Sequence, residues 1–355
     1  MRAASVLRQA GLSPLSSEAY SKGLAYAEQQ VRRFDHEAIY ASYFYPVEVR
    51  PAYMALKAFN VELAGLPDQV SNQMVGRIRF QWWKDAIKGV YDNKPLPHPL
   101  TTVLAALPQR PSLSQYHLNR LILAREAHFL NPTFNSLQDL ADYSAGTQAS
   151  LLYLLLQATA AGPGSPRTDR GAIATGSTLR HATPFQHTGM EHVEGASSSS
   201  GAAGPGAAKE ADDLTLDHAA SHLAVAVTIS TLLRSIPHHA AKRVNVIPLE
   251  VANRHRLQEE SLFRQGPNAP GLQDCVATLA GIAQAELRTA RECFNGTTGV
   301  PTRATPVFLS ATPARSFLDR LASPKIDYDV FNGALQKRYW KLPFQVWGDS
   351  RNNRF

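Results

Sequence analysis

Residues 217–248 constrain the fold of this chain more than any other segment. Apolar or small side chains lie on almost every face of the helix that this segment would form, which is typical of a helix enclosed by other helices. Asp217 is a suitable N-cap for this helix, and Pro237 is expected to end it because proline cannot continue the backbone hydrogen bonds. The sequence therefore predicts a buried helix over residues 217–236.

Helical periodicity extends over most of the remaining chain, whereas the apolar-polar alternation that marks β-strands is nearly absent. A chain of 355 residues with 44% hydrophobic residues can bury a sizeable core, in one large all-helical domain or two smaller ones. We therefore expect an all-α protein, whose further helices include residues 18–30, 68–91, 100–107, 113–130, 139–157, 272–294, 305–321 and 330–341.

Residues 162–211 interrupt this pattern because they are rich in Gly, Ser, Ala and Pro. They contain too few bulky apolar side chains to offset the entropy lost on ordering. The sequence therefore predicts a disordered insertion that joins two consecutive core helices.

The first 17 residues contain Arg2, Arg8 and several serines, and no acidic residue precedes Glu18. This composition is typical of a mitochondrial targeting segment, although an ordinary frayed N-terminus is the alternative. No run reaches the roughly 18 apolar residues of a membrane-spanning helix, so a soluble or peripheral protein is expected. The C-terminal aromatic and basic residues fit either a membrane interface or a helix that caps the bundle.

The net charge of +7 and the sequence pI of about 9.4 come from Lys and Arg residues scattered along the chain. This distribution fits a matrix protein or an anionic membrane surface better than a specific DNA reader. No helix-turn-helix, zinc-finger or base-stacking motif is present, so no nucleic-acid partner is expected. Two cysteines exclude a disulfide framework.

Several short motifs occur in a fixed order along the chain. They are Tyr43-Phe44-Tyr45-Pro46 followed by Arg50, Ala55-Leu56-Lys57-Ala58-Phe59, Trp82-Trp83-Lys84 leading to His98-Pro99, Asp142-Tyr143, and Leu232-Leu233-Arg234 leading to Arg243 and Pro248. In this order they resemble the squalene and phytoene synthase family of head-to-head isoprenoid condensing enzymes. The resemblance implies an isoprenoid-synthase-like helical bundle around a central cavity, with residues 18–161 and 212–355 forming a single domain.

Catalysis in that family requires two aspartate-rich motifs, which this chain largely lacks. Carboxylates four residues apart on a helix project towards a common Mg²⁺ cluster, which in turn binds the substrate diphosphate. The resemblance places Ala64 and Gly65 at the paired aspartates of the first motif and leaves only Asp68 at its distal position. Ser235 and His239 replace both acids of the second motif. We therefore expect a non-catalytic protein with no metal site and no cofactor.

Glu62, Asp68 and His239 are the groups from which a metal site could have been rebuilt. Imidazole is a poor ligand for Mg²⁺, and these positions reproduce neither aspartate pair. Glu62 and Arg234 are more simply expected to be polar residues of a residual cavity.

His218 and His222 have the i, i+4 spacing that a zinc site could use. No glutamate completes an HExxH pattern between them, and no third ligand lies nearby in the sequence. The alternative is that they are polar residues in the first turns of a helix.

Further phrases resemble one non-catalytic branch of the family, which assists the assembly of mitochondrial respiratory complex I. They are Ala58-Phe59-Asn60-Val61-Glu62-Leu63-Ala64, Thr147-Gln148 and Asp217-His218-Ala219-Ala220-Ser221-His222. That resemblance implies a protein of the mitochondrial matrix, peripheral to the inner membrane, whose partners are complex I subunits or other assembly factors. An apolar lipid in the cavity is a further possible partner. The alternatives are an active isoprenoid diphosphate condensing enzyme and a carrier of an isoprenoid or quinone-like lipid.

Overall fold

The computed structural model describes residues 14–160, 212–297 and 299–355. These residues form sixteen α-helices and no β-strand, which confirms the all-α prediction. The first eight helices are α1 Pro14–Phe34, α2 His36–Ser42, α3 Arg50–Gln69, α4 Gln73–Tyr91, α5 Pro99–Ala106, α6 Gln115–Leu130, α7 Leu137–Ser144 and α8 Ser150–Ala160. One turn of π-helix, Ala145–Ala149, connects α7 to α8.

The second half of the chain begins with the longest helix of the described residues. Its helices are α9 Asp213–Ala241, α10 Leu249–Arg254, α11 Glu259–Gln265, α12 Leu272–Glu292, α13 Thr305–Phe308, α14 Ala311–Leu321, α15 Gly333–Gln336 and α16 Leu342–Arg351. The predicted insertion at 162–211 lies outside the described residues. So does the predicted targeting segment, apart from residues 14–17, which open α1.

Helix α9 lies at the centre of the bundle. It packs along α12 and also contacts the π-turn, α14 and α8. Around it, α1 packs on α3 and α5, α4 packs on α6, and α3 packs on α8. Buried side chains from both halves of the chain belong to one continuous hydrophobic core. This arrangement explains why α9 is apolar on almost every face, as the sequence predicted.

The predicted start of α9 is wrong by more than a turn. Its N-cap is Asp212, whose side chain accepts a hydrogen bond of 2.9 Å from the backbone N–H of Thr215. Asp217, the predicted cap, lies inside the helix. Asp212 satisfies one of the free N–H groups at the helix start, as expected of a capping aspartate, whereas Asp217 lies too far along the helix to cap it.

The predicted end of α9 is also wrong, because Pro237 lies inside the helix. Ile236 and Ala240, on either side of it, are both buried in the core, and this packing holds the last turn helical despite the proline. The helix ends instead in a Schellman turn, in which Arg243 adopts φ +56° and its N–H bonds to the carbonyl of Ala240 at 3.0 Å. Residues His238 and His239, which follow Pro237, therefore lie in the last turn of α9.

By length and composition α9 could cross a membrane, and it is the one helix of the described residues that passes this test. In the fold, 67% of its most apolar 18-residue window is buried. Packing against the neighbouring helices accounts for its apolar composition.

Other helix boundaries differ from the prediction at capping residues and prolines. Helix α4 starts at Gln73 instead of 68, because the Asn72 side chain caps it by accepting from the Val75 N–H at 3.0 Å. The predicted helix 305–321 is divided into α13 and α14, and Pro313 lies in the first turn of α14, where its missing N–H has no helical partner to lose. Only α15 is helical within the predicted helix 330–341.

Candidate functional site

The C-terminal ends of α3 and α9 meet through an ion pair between Asp68, a predicted motif position, and Lys242, three residues after the predicted motif position His239. Asp68 Oδ1 accepts a hydrogen bond of 2.6 Å from Lys242 Nζ, and Asp68 Oδ2 lies 3.7 Å from His238 Nε2. The Lys242 ammonium, followed by the neighbouring histidines, holds the pKa of Asp68 below its usual value. The one acid among the predicted motif positions therefore has a cation of the protein beside it.

The other substituted positions supply no carboxylate. Ala64 is exposed and Gly65 is half-buried, so α3 presents only a methyl group and a hydrogen there. The Ser235 hydroxyl donates a hydrogen bond of 2.8 Å to the carbonyl of Leu232 in its own helix. None of these side chains is free to replace a missing metal ligand.

His239 lies close to His128 of α6. Burial lowers the pKa of His239, and His238 lowers it further. Burial also lowers the pKa of His128 to about 4, with Arg125 and His239 adding to the effect. Burial therefore favours the neutral imidazole at both histidines, and the predicted motif position at His239 carries no carboxylate.

An arginine network ties α3, α6 and α7 together next to these positions. Arg125 donates from Nη1 to the Tyr143 hydroxyl at 2.5 Å and from Nη2 to Asn60 Oδ1 at 3.0 Å. The His128 ring stacks on Phe134 with centroids 4.7 Å apart, and it contacts Tyr143 at the same distance. Asn60 lies one turn before Ala64 on the same face of α3. Sequence reasoning missed Arg125 because it belongs to no motif, and it quoted Asn60 in a family phrase without assigning it a contact.

Glu62 and Arg234 each bond to a neighbouring helix, away from Asp68 and His239. Glu62 lies on the opposite side of α3 from Ala64, and it accepts a hydrogen bond from the hydroxyl of Tyr26. Arg234 donates to Glu37 at 2.8 Å, and its guanidinium lies 5.0 Å from the ring centroid of Phe317.

His222 is engaged in the core between α9 and α12. Its Nδ1 lies 2.6 Å from Oε2 of Glu286, and both side chains are buried. The described ranges of the chain contain no group of three or more His, Cys, Asp or Glu side chains that could hold a metal ion. His222 and His218 are therefore not joined by a third ligand there.

Among the open cavities that the described residues form at the surface, two of the best formed are not lined by a motif residue. The larger, about 510 Å³, lies between α4 and α6 and is lined by Arg77, Ile78, Gln81, Glu126 and Leu130. The smaller, about 330 Å³, lies beside α14 and the turn that follows it.

Comparison with known proteins identifies the class of protein that this fold and these motif positions define. Residues 31–343 match the sequence model of squalene/phytoene synthase, and the chain belongs to that family. Its sequence is similar to "NADH dehydrogenase (ubiquinone) complex I, assembly factor 6" of Mus musculus, with 28% identity over 93% of this chain and 82% of the relative. The Homo sapiens relative of the same name is 27% identical over 91% of this chain and 80% of its own length.

The same fold occurs in solved structures of synthases. A dehydrosqualene synthase in complex with ligand superposes with a TM-score of 0.67 and 15% identity, covering 95% of this chain and 98% of the synthase chain. Squalene synthase HpnC from Alicyclobacillus acidocaldarius gives a TM-score of 0.63 and 14% identity, covering 90% of this chain and 97% of the synthase chain. These likenesses establish the fold alone.

Proposed function

We propose that this protein is an assembly factor of mitochondrial respiratory complex I that uses a prenyl-synthase fold as a binding scaffold and does not catalyse condensation. The names of the curated relatives support the assembly role. The observation that carries the non-catalytic part is the Lys242 ammonium on Asp68, the single acid left at the motif positions.

The chemistry of the diphosphate group explains why this pair argues against catalysis. A diphosphate is held through Mg²⁺, which needs several oxygen ligands and is bound at such sites by carboxylates together with the phosphate oxygens. A metal entering here would have to displace Lys242 and would then find one carboxylate. Ser235 is bonded within its helix, and a neutral imidazole at His239 is a poor substitute for an aspartate.

A turnover assay tests the non-catalytic part of the proposal. Purified full-length protein is incubated with Mg²⁺ and farnesyl or geranylgeranyl diphosphate, with an active dehydrosqualene synthase as the positive control. We expect no condensed product. Robust turnover that Asp68→Asn or Glu62→Gln abolishes would establish the alternative, an active enzyme with a rebuilt site.

A loss-of-function experiment tests the assembly role. Cells that lack the protein are expected to lose fully assembled complex I on native gels, while the other respiratory complexes serve as controls. Normal complex I in these cells would contradict the proposal. Crosslinking in rescued cells then identifies which complex I subunit or other assembly factor is the direct partner.

We also propose that the protein resides in the mitochondrial matrix, peripheral to the inner membrane. The composition of the first 17 residues supports import, and a fusion of these residues to a reporter tests it. Release of the protein from mitochondrial membranes by alkaline carbonate is expected for a peripheral protein, and retention would contradict it. The possible apolar lipid is tested by extraction and mass spectrometry of the purified protein. A reproducibly empty protein would argue against lipid carriage.

A further inference from the structure

Helix α16 is apolar on two opposite faces, and the fold covers only one of them. Leu342 and Val346, four residues apart, are buried in a small hydrophobic cluster with side chains of α2 and of the segment before α14. On the other side, Phe344 and Trp347 are 68% and 55% exposed. Trp340, in the turn before the helix, is 71% exposed and lies beside Phe344 with ring centroids 6.4 Å apart. These three side chains form the aromatic face.

Two positive charges lie against the aromatic face. Lys341 Nζ lies 5.4 Å from the ring of Trp340, and the Arg351 guanidinium lies 5.6 Å from the ring of Trp347. Residues 337–355 contain five Lys and Arg side chains, all exposed, and a single acidic side chain. The exposed surface of this segment is therefore strongly cationic. The five cations are Lys337, Arg338, Lys341, Arg351 and Arg354.

The single acid of the segment points into the fold. Asp349 accepts hydrogen bonds of 2.6 Å from the Thr312 hydroxyl and 2.7 Å from Arg315 Nη2, both on α14. Together with the buried Leu342 and Val346, these bonds attach α16 firmly to the bundle. The aromatic face is therefore held outward on an already folded helix, and a partner need not order it.

Charge complementarity identifies the partner as an anionic lipid surface. Tryptophans with neighbouring Lys and Arg are characteristic of the membrane–water interface, where the ring enters the headgroup layer and the cation contacts phosphate. Protein–protein interfaces are instead depleted of Lys, whereas here Lys341 lies against Trp340 and Lys337 is exposed in the same segment. An anionic surface can contact Lys341 and Arg351 while the rings beside them enter it.

We infer that Trp340, Phe344 and Trp347 insert into the headgroup layer of an anionic membrane, with Lys341 and Arg351 contacting lipid phosphates and the other exposed cations of residues 337–355 adding to the attraction. This inference rests on the proposed peripheral placement at the inner membrane and assigns it to one face of the molecule. It involves neither the motif positions nor the bundle interior.

Vesicle sedimentation of the full-length purified protein tests the assignment. The probes are sucrose-loaded vesicles of phosphatidylcholine alone and of phosphatidylcholine with about one-third phosphatidylglycerol or cardiolipin. The parent protein is expected to bind the anionic vesicles and to bind the neutral ones at least tenfold more weakly, since each cation near an anionic surface adds to attraction. The triple variant Trp340→Ser, Phe344→Ser, Trp347→Ser is expected to lose about tenfold or more in partitioning.

A matched control uses two exposed apolar side chains on another helix. Met74 and Ile78 of α4 are 73% and 64% exposed, so Met74→Ser, Ile78→Ser removes similar surface apolarity away from α16. This variant is expected to bind anionic vesicles as the parent does. Lys337→Glu, Lys341→Glu is expected to abolish the preference for anionic over neutral vesicles. All variants replace exposed side chains, and thermal unfolding of each one verifies that it folds.

Other results would overturn the inference. A parent protein that ignores anionic vesicles, or a triple variant that binds them as the parent does, refutes it. If the parent is a dimer and the triple variant a monomer without any lipid, the face binds a second copy instead. If vesicles are ignored but the triple variant fails to restore complex I, the face binds a protein, and the assembly role still stands. Normal complex I in cells lacking the protein refutes the assembly role without touching the vesicle result.

Discussion

Breaking the buried His222–Glu286 pair should destabilise the protein far more than an ordinary surface substitution. The two atoms lie 2.6 Å apart at the contact between α9 and α12, and the side chains are only 6% and 8% exposed. His222→Leu leaves the Glu286 carboxyl group buried without this partner. Removing one member of a buried pair typically lowers the free energy of unfolding by about 3–5 kcal/mol, because the remaining group is desolvated and no longer has a partner. Replacing both residues by Leu removes that penalty, and such replacements are often neutral.

The expected loss is large relative to the free energy of unfolding, which is about 5–15 kcal/mol for typical proteins. Urea unfolding of the parent, His222→Leu, Glu286→Leu and the double variant gives the pairwise coupling directly. We expect each single variant to lose about 3 kcal/mol or more and the double variant to lose less than the sum by about 2 kcal/mol or more. Thr231→Ala, an exposed position on the same helix, is the control and should change stability by less than about 0.5 kcal/mol. Additive losses in the double variant, or single variants within about 1 kcal/mol of the parent, would refute this reasoning.

Three further outcomes follow from other contacts. Lys242→Ala should lower the free energy of unfolding by no more than about 1 kcal/mol, because both Lys242 and Asp68 are substantially exposed. A double-mutant cycle with Asp68→Asn should give a coupling energy in the same range. A larger coupling energy would show that the pair is effectively buried. Burial lowers the pKa of His117 to about 4, so the folded protein keeps it neutral while the unfolded chain binds a proton near pH 6.5. Its contribution to stability is therefore present at pH 7 and lost as the pH falls, by about 2 kcal/mol between pH 7 and 5. In urea titrations at the two pH values, His117→Phe should reduce this loss of stability. An unchanged loss would contradict the prediction. Gly23→Ala would place a Cβ 2.6 Å from a carbonyl oxygen of α5, so it should destabilise the protein by about 1–3 kcal/mol in thermal unfolding. Gly281→Ala is the control, because its Cβ meets nothing within 4 Å, and it should be neutral or stabilising. Equal unfolding midpoints for the two variants would contradict the close approach of α1 and α5.

The sequence predicted those parts of the fold that local patterns determine. The amphipathic repeat over residues 272–294 predicted α12 within two residues, and the apolar run beyond 217 predicted the central helix. The C-terminal end of α9 was predicted wrongly. The prediction relied on the helix-breaking tendency of Pro237, whereas the burial of Ile236 and Ala240 on either side of it keeps this turn helical. Burial depends on the whole bundle, which no local window contains.

The candidate site was predictable in its composition but not in its contacts. The motif positions could be read directly, yet the partner of Asp68 is 174 residues away in sequence and depends on how α3 and α9 are rotated towards each other. The bond from Arg125 to Asn60 depends in the same way on the packing of α3 and α6. Glu62 is different, because the helical period alone places it opposite Ala64, and this signal was available in the sequence.

Under the proposed non-catalytic function, the Lys242–Asp68 pair also limits how metal-dependent chemistry could arise in this chain by mutation. A single mutation that introduced an acid at Ser235 or His239 would place a new carboxylate on α9. Asp68, on α3, would still be paired with Lys242. A set of carboxylate ligands for a metal would form only after Lys242 had also been replaced and further acids had been introduced on α3. None of these changes alone would complete a metal site, so replacement of Lys242 is one more substitution that catalysis would require.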